Sequence, residues 1–217
     1  MNDERNAYNN VIFMKHLEAT HQKILDCATS CPDHTCIIKA TIKYKDKTNG
    51  DFSRVMYNMI LDECGDSDVV NSKGAFVDPA LKLFHGVPLM MNSNERIDED
   101  LANGTPCKGL YIVLNTGCAF VEEEWEGYLV NTVQAHQVKH IVCMTENKIV
   151  QDRKYFIVKP QTTVCTVKLR SLQNEKLCGM KITHLPINCN LSTTGHKLQG
   201  RTMNSLVVNS WGYRCPH

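Results

Sequence analysis

The sequence predicts an α/β fold, a layer of sheet and helices interrupted by a small β-barrel. Three observations carry that expectation: a long amphipathic helical pattern at the N-terminus, an alternating strand followed by a turn at 36–50, and a run of short strands from 103 to about 182. With 217 residues, 42% hydrophobic and 22% charged, the chain is long enough to bury a sizeable core.

Residues 3–29 read as a helix. Asp3 can cap it, Tyr8, Val11, Ile12, Leu17, Ile24 and Leu25 fall roughly along one side, and Pro32 lies just beyond. Residues 36–44 alternate, with Ile38, Ala40, Ile42 and Tyr44 on one side, and Lys47-Thr48-Asn49-Gly50 forms the turn after them. Between 66 and 80 a polar stretch with Gly and Pro predicts a loop. The strands expected beyond residue 103 are 109–114, 128–133, 138–144, 154–159 and 163–169, with a turn at Pro160-Gln161. Five short strands separated by turns suggest a small barrel.

Composition excludes several classes. No stretch approaches 18 uninterrupted apolar residues, so no membrane-spanning helix and no membrane partner are expected. The polar N-terminus lacks an apolar signal core, which places the chain inside the cell, with the nucleus or mitochondrion as compartments. The eleven cysteines are irregularly spaced and read as reduced thiols, mostly small core residues. Cys27, Cys31, His34 and Cys36 crowd into ten residues, but Cys31 and Cys36 do not form the paired knuckle that structural zinc prefers, and no metal site is assigned. Charge is unevenly spread. Residues 151–217 carry ten Lys and Arg against two acids, whereas residues 1–150 carry fourteen against twenty-one. A basic third of this kind suits a polyanion, and the acids at Glu122, Glu123, Glu124 and Glu126 are expected to face away from it.

The densest chemistry lies in that basic third. Thr194-Gly195-His196-Lys197-Leu198-Gln199-Gly200 offers a hydroxyl, an imidazole, an ammonium and a carboxamide within six positions, then a glycine that admits close backbone approach. All four side chains can meet phosphate, the lysine as a point charge and the others through hydrogen bonds. This Thr-x-His-Lys-x-Gln-Gly pattern resembles motif V of the superfamily 1 DNA helicases of the Pif/RecD branch, which includes the Helitron transposon helicases.

Further segments match in the family's order. Leu83-Phe84-His85-Gly86-Val87-Pro88-Leu89-Met90-Met91-Asn92 is similar to its apolar-proline-apolar-methionine segment, followed by Leu101-Ala102-Asn103-Gly104-Thr105 and Gly109. Asn2, Arg5 and Asn9 resemble motif IV. The resemblance implies the second RecA-like domain of a helicase with an inserted Src-homology-type barrel. Residues 1–102 and 183–217 would form the RecA-like layer and 103–182 the insertion. It further implies that Thr194, His196 and Lys197 face the backbone of single-stranded DNA, and that Gln199, Gly200, Asn2 and Arg5 lie at the interdomain nucleotide cleft. DNA repair, recombination or transposon replication would be the setting.

Two parts of such a motor are missing. No Gly-x-x-x-x-Gly-Lys-Ser/Thr phosphate loop occurs, and no Leu-Ser-Arg motif VI precedes the final Trp211-Gly212-Tyr213-Arg214-Cys215-Pro216-His217. Met59-Ile60-Leu61-Asp62-Glu63 has the look of a magnesium-binding strand, yet it follows motif IV and has no phosphate loop upstream, so Asp62 and Glu63 read as surface acids. The expectation is a helicase piece cut at both ends and inactive alone. ATP and magnesium would belong only to the complete helicase, whose N-terminal ATPase half would be the partner. The alternative is a non-enzymatic domain for protein interaction or nucleic-acid binding. Cys189-Asn190-Leu191-Ser192 also departs from the family's small apolar residues, and burying Asn190 or Ser192 unpartnered would cost about 1–3 kcal/mol.

Overall fold

The computed structural model describes residues 2–27, 35–44, 58, 69–71, 77–94, 101–147, 152–168 and 176–190. These form a mixed, sheet-rich structure with one long helix, α1 (Asn2–Cys27). The strands are β1 (Cys36–Lys39), β2 (Thr41–Tyr44), β3 (Val69–Asn71), β4 (Ala80–Leu83), β5 (Val87–Met91), β6 (Pro106–Leu114) and β7 (Val121–Trp125). After them come β8 (Tyr128–Gln134), β9 (Val138–Asn147), β10 (Asp152–Val158), β11 (Gln161–Lys168), β12 (Lys176–His184) and β13 (Ile187–Cys189).

They assemble as three sheets, ordered β4-β1-β8-β7, β10-β9-β6-β5-β13 and β2-β12-β11-β3. All pairs are antiparallel except β1 with β8, where Cys36 stands opposite Asn131. The strands expected between 109 and 169 are present as β6, β8, β9, β10 and β11. They are divided among the three sheets, and the described residues contain no closed barrel. The reason lies in their partners. β6 pairs with β5, β8 pairs with β1, and β11 pairs with β3, so strands before residue 103 take up edges that a separate barrel would close on itself. β10 and β11, expected to flank a turn at Pro160, lie in different sheets. β3 also forms inside the stretch expected to be a loop, held on the edge of β11.

α1 covers the β4-β1-β8-β7 sheet. Its buried stripe is Asn9, Phe13 and Leu17, spaced four apart, packed on Ile37, Ala80 and Val130. Tyr8 and Val11, expected on the apolar side, are about half exposed because they lie opposite Phe13 around the helix. Phe13 meets the Phe84 ring at 6.4 Å, and the His16 ring stacks on Phe84 at 4.0 Å. Tyr128 donates a hydrogen bond from its hydroxyl to Glu18, fastening the helix to β8. The second apolar cluster runs through the other face of this sheet into the five-stranded sheet, with Leu83, Leu89, Ile141, Cys143 and Ile187 at its centre.

Gly109 on β6 points into that cluster. A Cβ there would come within 2.7 Å of Leu83 Cδ1 and 3.0 Å of both Leu89 Cδ1 and Val87 Cγ1. These neighbours are fully packed and cannot swing away freely. Gly109→Ala should therefore destabilise by about 1–3 kcal/mol. At roughly 2–4 °C per kcal/mol for a chain of this size, thermal unfolding should drop by several degrees. An unchanged or raised midpoint would refute the packing argument.

Candidate nucleic-acid interface

The segments singled out by sequence meet around β5. At its C-terminal end the chain turns back through Leu101-Ala102-Asn103-Gly104-Thr105 and is clasped by main-chain bonds. Met91 N–H donates to Thr105 O at 2.9 Å, and Gly104 N–H donates to Met91 O at 2.8 Å. The turn is closed by Thr105 N–H on Ala102 O, with Ala102 N–H on Thr105 Oγ1. Gly104 has φ of +89°, the conformation that the third position of a type II turn requires. Asn103 N–H donates to Asn94 Oδ1 at 2.8 Å, leaving both side chains at the surface.

On the other edge of β5 lies β13, only three residues long. Its length has a backbone cause. Opposed residues in an antiparallel ladder exchange two bonds, but a proline can only accept. Asn92 N–H donates to Pro186 O at 3.0 Å, and Asn190 N–H donates to Pro88 O at 2.8 Å. Neither proline can return the bond. Within the described residues the ladder therefore ends at Pro186 on one side and at Pro88 on the other, and Asn190, bonded to Pro88, is the last described residue, four positions before Thr194 in the sequence.

Between these ends Asn92 Nδ2 donates to Asn188 Oδ1 at 3.1 Å, and both side chains are buried. Asn188 Nδ2 has no partner among the described residues. The polar penalty expected at Asn190 falls instead on Asn188, two residues earlier, since Asn190 is half-buried with its N–H satisfied. Cys189 donates from its thiol to Lys82 O at 3.3 Å. Asn188 carried no signal in the sequence, because its burial comes from the β5 pairing alone.

Of the predicted site residues, Asn2 and Arg5 fall in the first turns of α1. Thr194, His196, Lys197, Gln199 and Gly200 lie outside the described residues, as do Ser192, Met59–Glu63 and the C-terminal Trp211–His217. The structure therefore places the stem of the Thr194–Gly200 segment but not the segment itself. Of the cysteine cluster, Cys31 and His34 also lie outside, and Cys36 is fully buried on β1. Burial pushes its thiol up to about 12. Cys143 is likewise held protonated, first by its hydrogen bond with Cys107 and then by burial. Among the described residues no three of His, Cys, Asp and Glu converge to hold a metal ion.

Charge is segregated by sheet. Glu122, Glu123 and Glu124 form β7, an edge strand, and Glu126 sits in its turn to β8 with φ of 49°. Glu123 pairs with Lys39, and the Lys82 ammonium lies 5.6 Å from the Trp125 ring centre. The acids sit on a different sheet from β5 and β13.

No family model matches this sequence, and no curated protein matches it. Among solved structures, the crystal structure of the Pif1 helicase from Candida albicans is similar in outline, with 13% sequence identity and a TM-score of 0.40. The match covers 88% of this chain and 36% of that one, so the chain spans about a third of the helicase's length.

The clasp makes a testable demand at Gly104. Alanine there must adopt a left-handed backbone at a cost of about 1–2 kcal/mol, whereas asparagine tolerates it better. Thermal midpoints should rank wild type above Gly104→Asn and Gly104→Asn above Gly104→Ala. Equal midpoints for all three would show that the turn relaxes to another geometry.

Proposed function

We propose that this chain is the C-terminal portion of an ATP-dependent DNA helicase of the Pif/RecD type, contributing single-stranded DNA contacts and one wall of the interdomain cleft. The observation that carries this reading is convergence. Segments 83–92 and 101–109, which resemble consecutive stretches of that family, form β5, its clasped turn and the neighbouring β6, and β13 leads from the same strand into the Thr194–Gly200 segment. Separate chance matches would have no reason to lie side by side.

In this reading Thr194, His196 and Lys197 meet the DNA backbone, and Gln199, Gly200, Asn2 and Arg5 border the cleft that couples DNA to nucleotide. ATP and magnesium would be held by the N-terminal half of the complete protein, which supplies the phosphate loop. The residues of this chain would position the strand and sense the nucleotide, without carrying out hydrolysis.

Two measurements test it. The purified chain should release no phosphate from ATP, with or without DNA, because it lacks both the phosphate loop and the motif VI arginine that stabilise phosphoryl transfer. DNA-stimulated hydrolysis unchanged by Asp62→Ala would contradict this.

The second is a salt titration of oligonucleotide binding. Lys197→Ala should weaken binding to the same extent for every base sequence and flatten the slope of log affinity against log salt by about 0.7, the loss of one phosphate contact. Thr194→Ala should act in the same direction more weakly, since a neutral hydroxyl contributes about 0.5–1.5 kcal/mol. Identical slopes for wild type and Lys197→Ala would remove Lys197 from the interface. A chain that binds no oligonucleotide would favour the non-enzymatic interaction domain.

A further inference from the structure

The outer face of β6, β9 and β10 is the least covered apolar surface of the five-stranded sheet. Its inner face fills the core with Ile112, Ile141, Cys143, Phe156 and Val158. The outer face carries Tyr155, 63% exposed, Tyr111, 44% exposed, and Ile157, 41% exposed. A β-bulge at Leu110 explains why Lys108 and Tyr111, three residues apart, share this face, since the register steps from Gly109 to Tyr111 against consecutive residues of β9. Two cross-strand rows result. One runs Pro88, Lys108, Met144, Tyr155, and the next runs Tyr111, Val142, Ile157.

Cations accompany the rings. Lys108 is exposed on the face, His140 stands opposite Val113, and the exposed Lys159 follows Tyr155 and Ile157 in the same alternation just beyond β10. At the open edge of β10, Lys154, Tyr155, Phe156 and Leu101 line an open hollow of about 380 Å³, within the range of small-ligand sites. The first row also has a direction. It starts at Pro88, whose carbonyl accepts from Asn190 at the stem of the Thr194–Gly200 segment, and crosses four strands, about 14 Å, to Tyr155.

We infer that this face is a second contact surface for single-stranded nucleic acid, with Tyr155 and Tyr111 as stacking platforms and Lys108 and Lys159 as phosphate partners. The inference rests on the functional reading above and extends it to residues that reading does not use. Exposed tyrosines on a sheet, with lysines beside them, suit bases that present a π-face and a backbone that presents charge. The hollow beside Leu101 gives a base leaving Tyr155 a place to sit against the turn that follows β5.

The test uses the full 217-residue chain, a fluorescent oligothymidylate and the variants Tyr155→Ala, Tyr155→Phe and Lys197→Ala. Tyr155→Ala should weaken binding roughly 5- to 100-fold, the loss of one stacked base, and leave the salt slope unchanged. Tyr155→Phe, which keeps the ring, should bind like wild type. An oligonucleotide bearing 5-iodouracil should cross-link to Tyr155 or Tyr111 on irradiation. If Tyr155→Ala binds normally and cross-links fall only beyond residue 190 while Lys197→Ala still flattens the slope, this surface is refuted and the proposed function stands. Absence of any oligonucleotide binding would overturn both. Self-association that Tyr155→Ala abolishes, with oligonucleotide binding unaffected, would identify a second copy of the chain as the occupant and overturn the inference.

Discussion

The backbone of β5 is the constraint on which the rest of the sheet depends. Both of its edges are hydrogen-bonded, to β6 on one side and β13 on the other, and Val87, Leu89 and Met91 fill the core behind it. A slip of one residue would turn all three toward the outer face, so the register is strongly specified. The two main-chain groups of Met91 are both taken by the returning turn, which fixes where β6 begins. Pro88 and Pro186 then set the length of β13 by refusing to donate. A central strand is an unfavourable place for a proline. Here its missing N–H is accommodated at the last described pair of the β5–β13 ladder, where its carbonyl accepts from Asn190.

The same sheet separates two electrostatic environments. Acids gather on β7, at the edge of the sheet that α1 covers, where charge on an exposed edge also discourages pairing with another chain. Lysines and tyrosines gather on the outer face of β6, β9 and β10. The overall charge of +1 conceals this division.

Local structure was legible in the sequence, and pairing was not. The extents of α1, β8 and β9 follow from periodicity and turn residues, which act over a few positions. β7 was missed because Glu-rich segments have low strand propensity, and it forms only as the second arm of a tight hairpin with β8. The barrel failed for a related reason. Strand spacing reports how many strands there are, but it cannot show that β6 prefers the edge of β5 or that β1 runs parallel to β8. Asn103-Gly104 was visible as a turn. Its attachment to Met91, the burial of Asn188 and the bulge that turns Tyr111 outward depend on contacts distant in sequence.

Main-chain and side-chain contributions therefore separate in this protein. The positions of the turn at 101–105 and of the exit at Asn190 rest on N–H and C=O groups and on prolines, which most substitutions elsewhere leave intact. Changes such as Asn190 beside the stem are tolerated because its N–H, not its side chain, makes the bond to Pro88. A substitution of Asn190 that keeps a main-chain N–H therefore leaves this contact in place, whereas proline there would remove it.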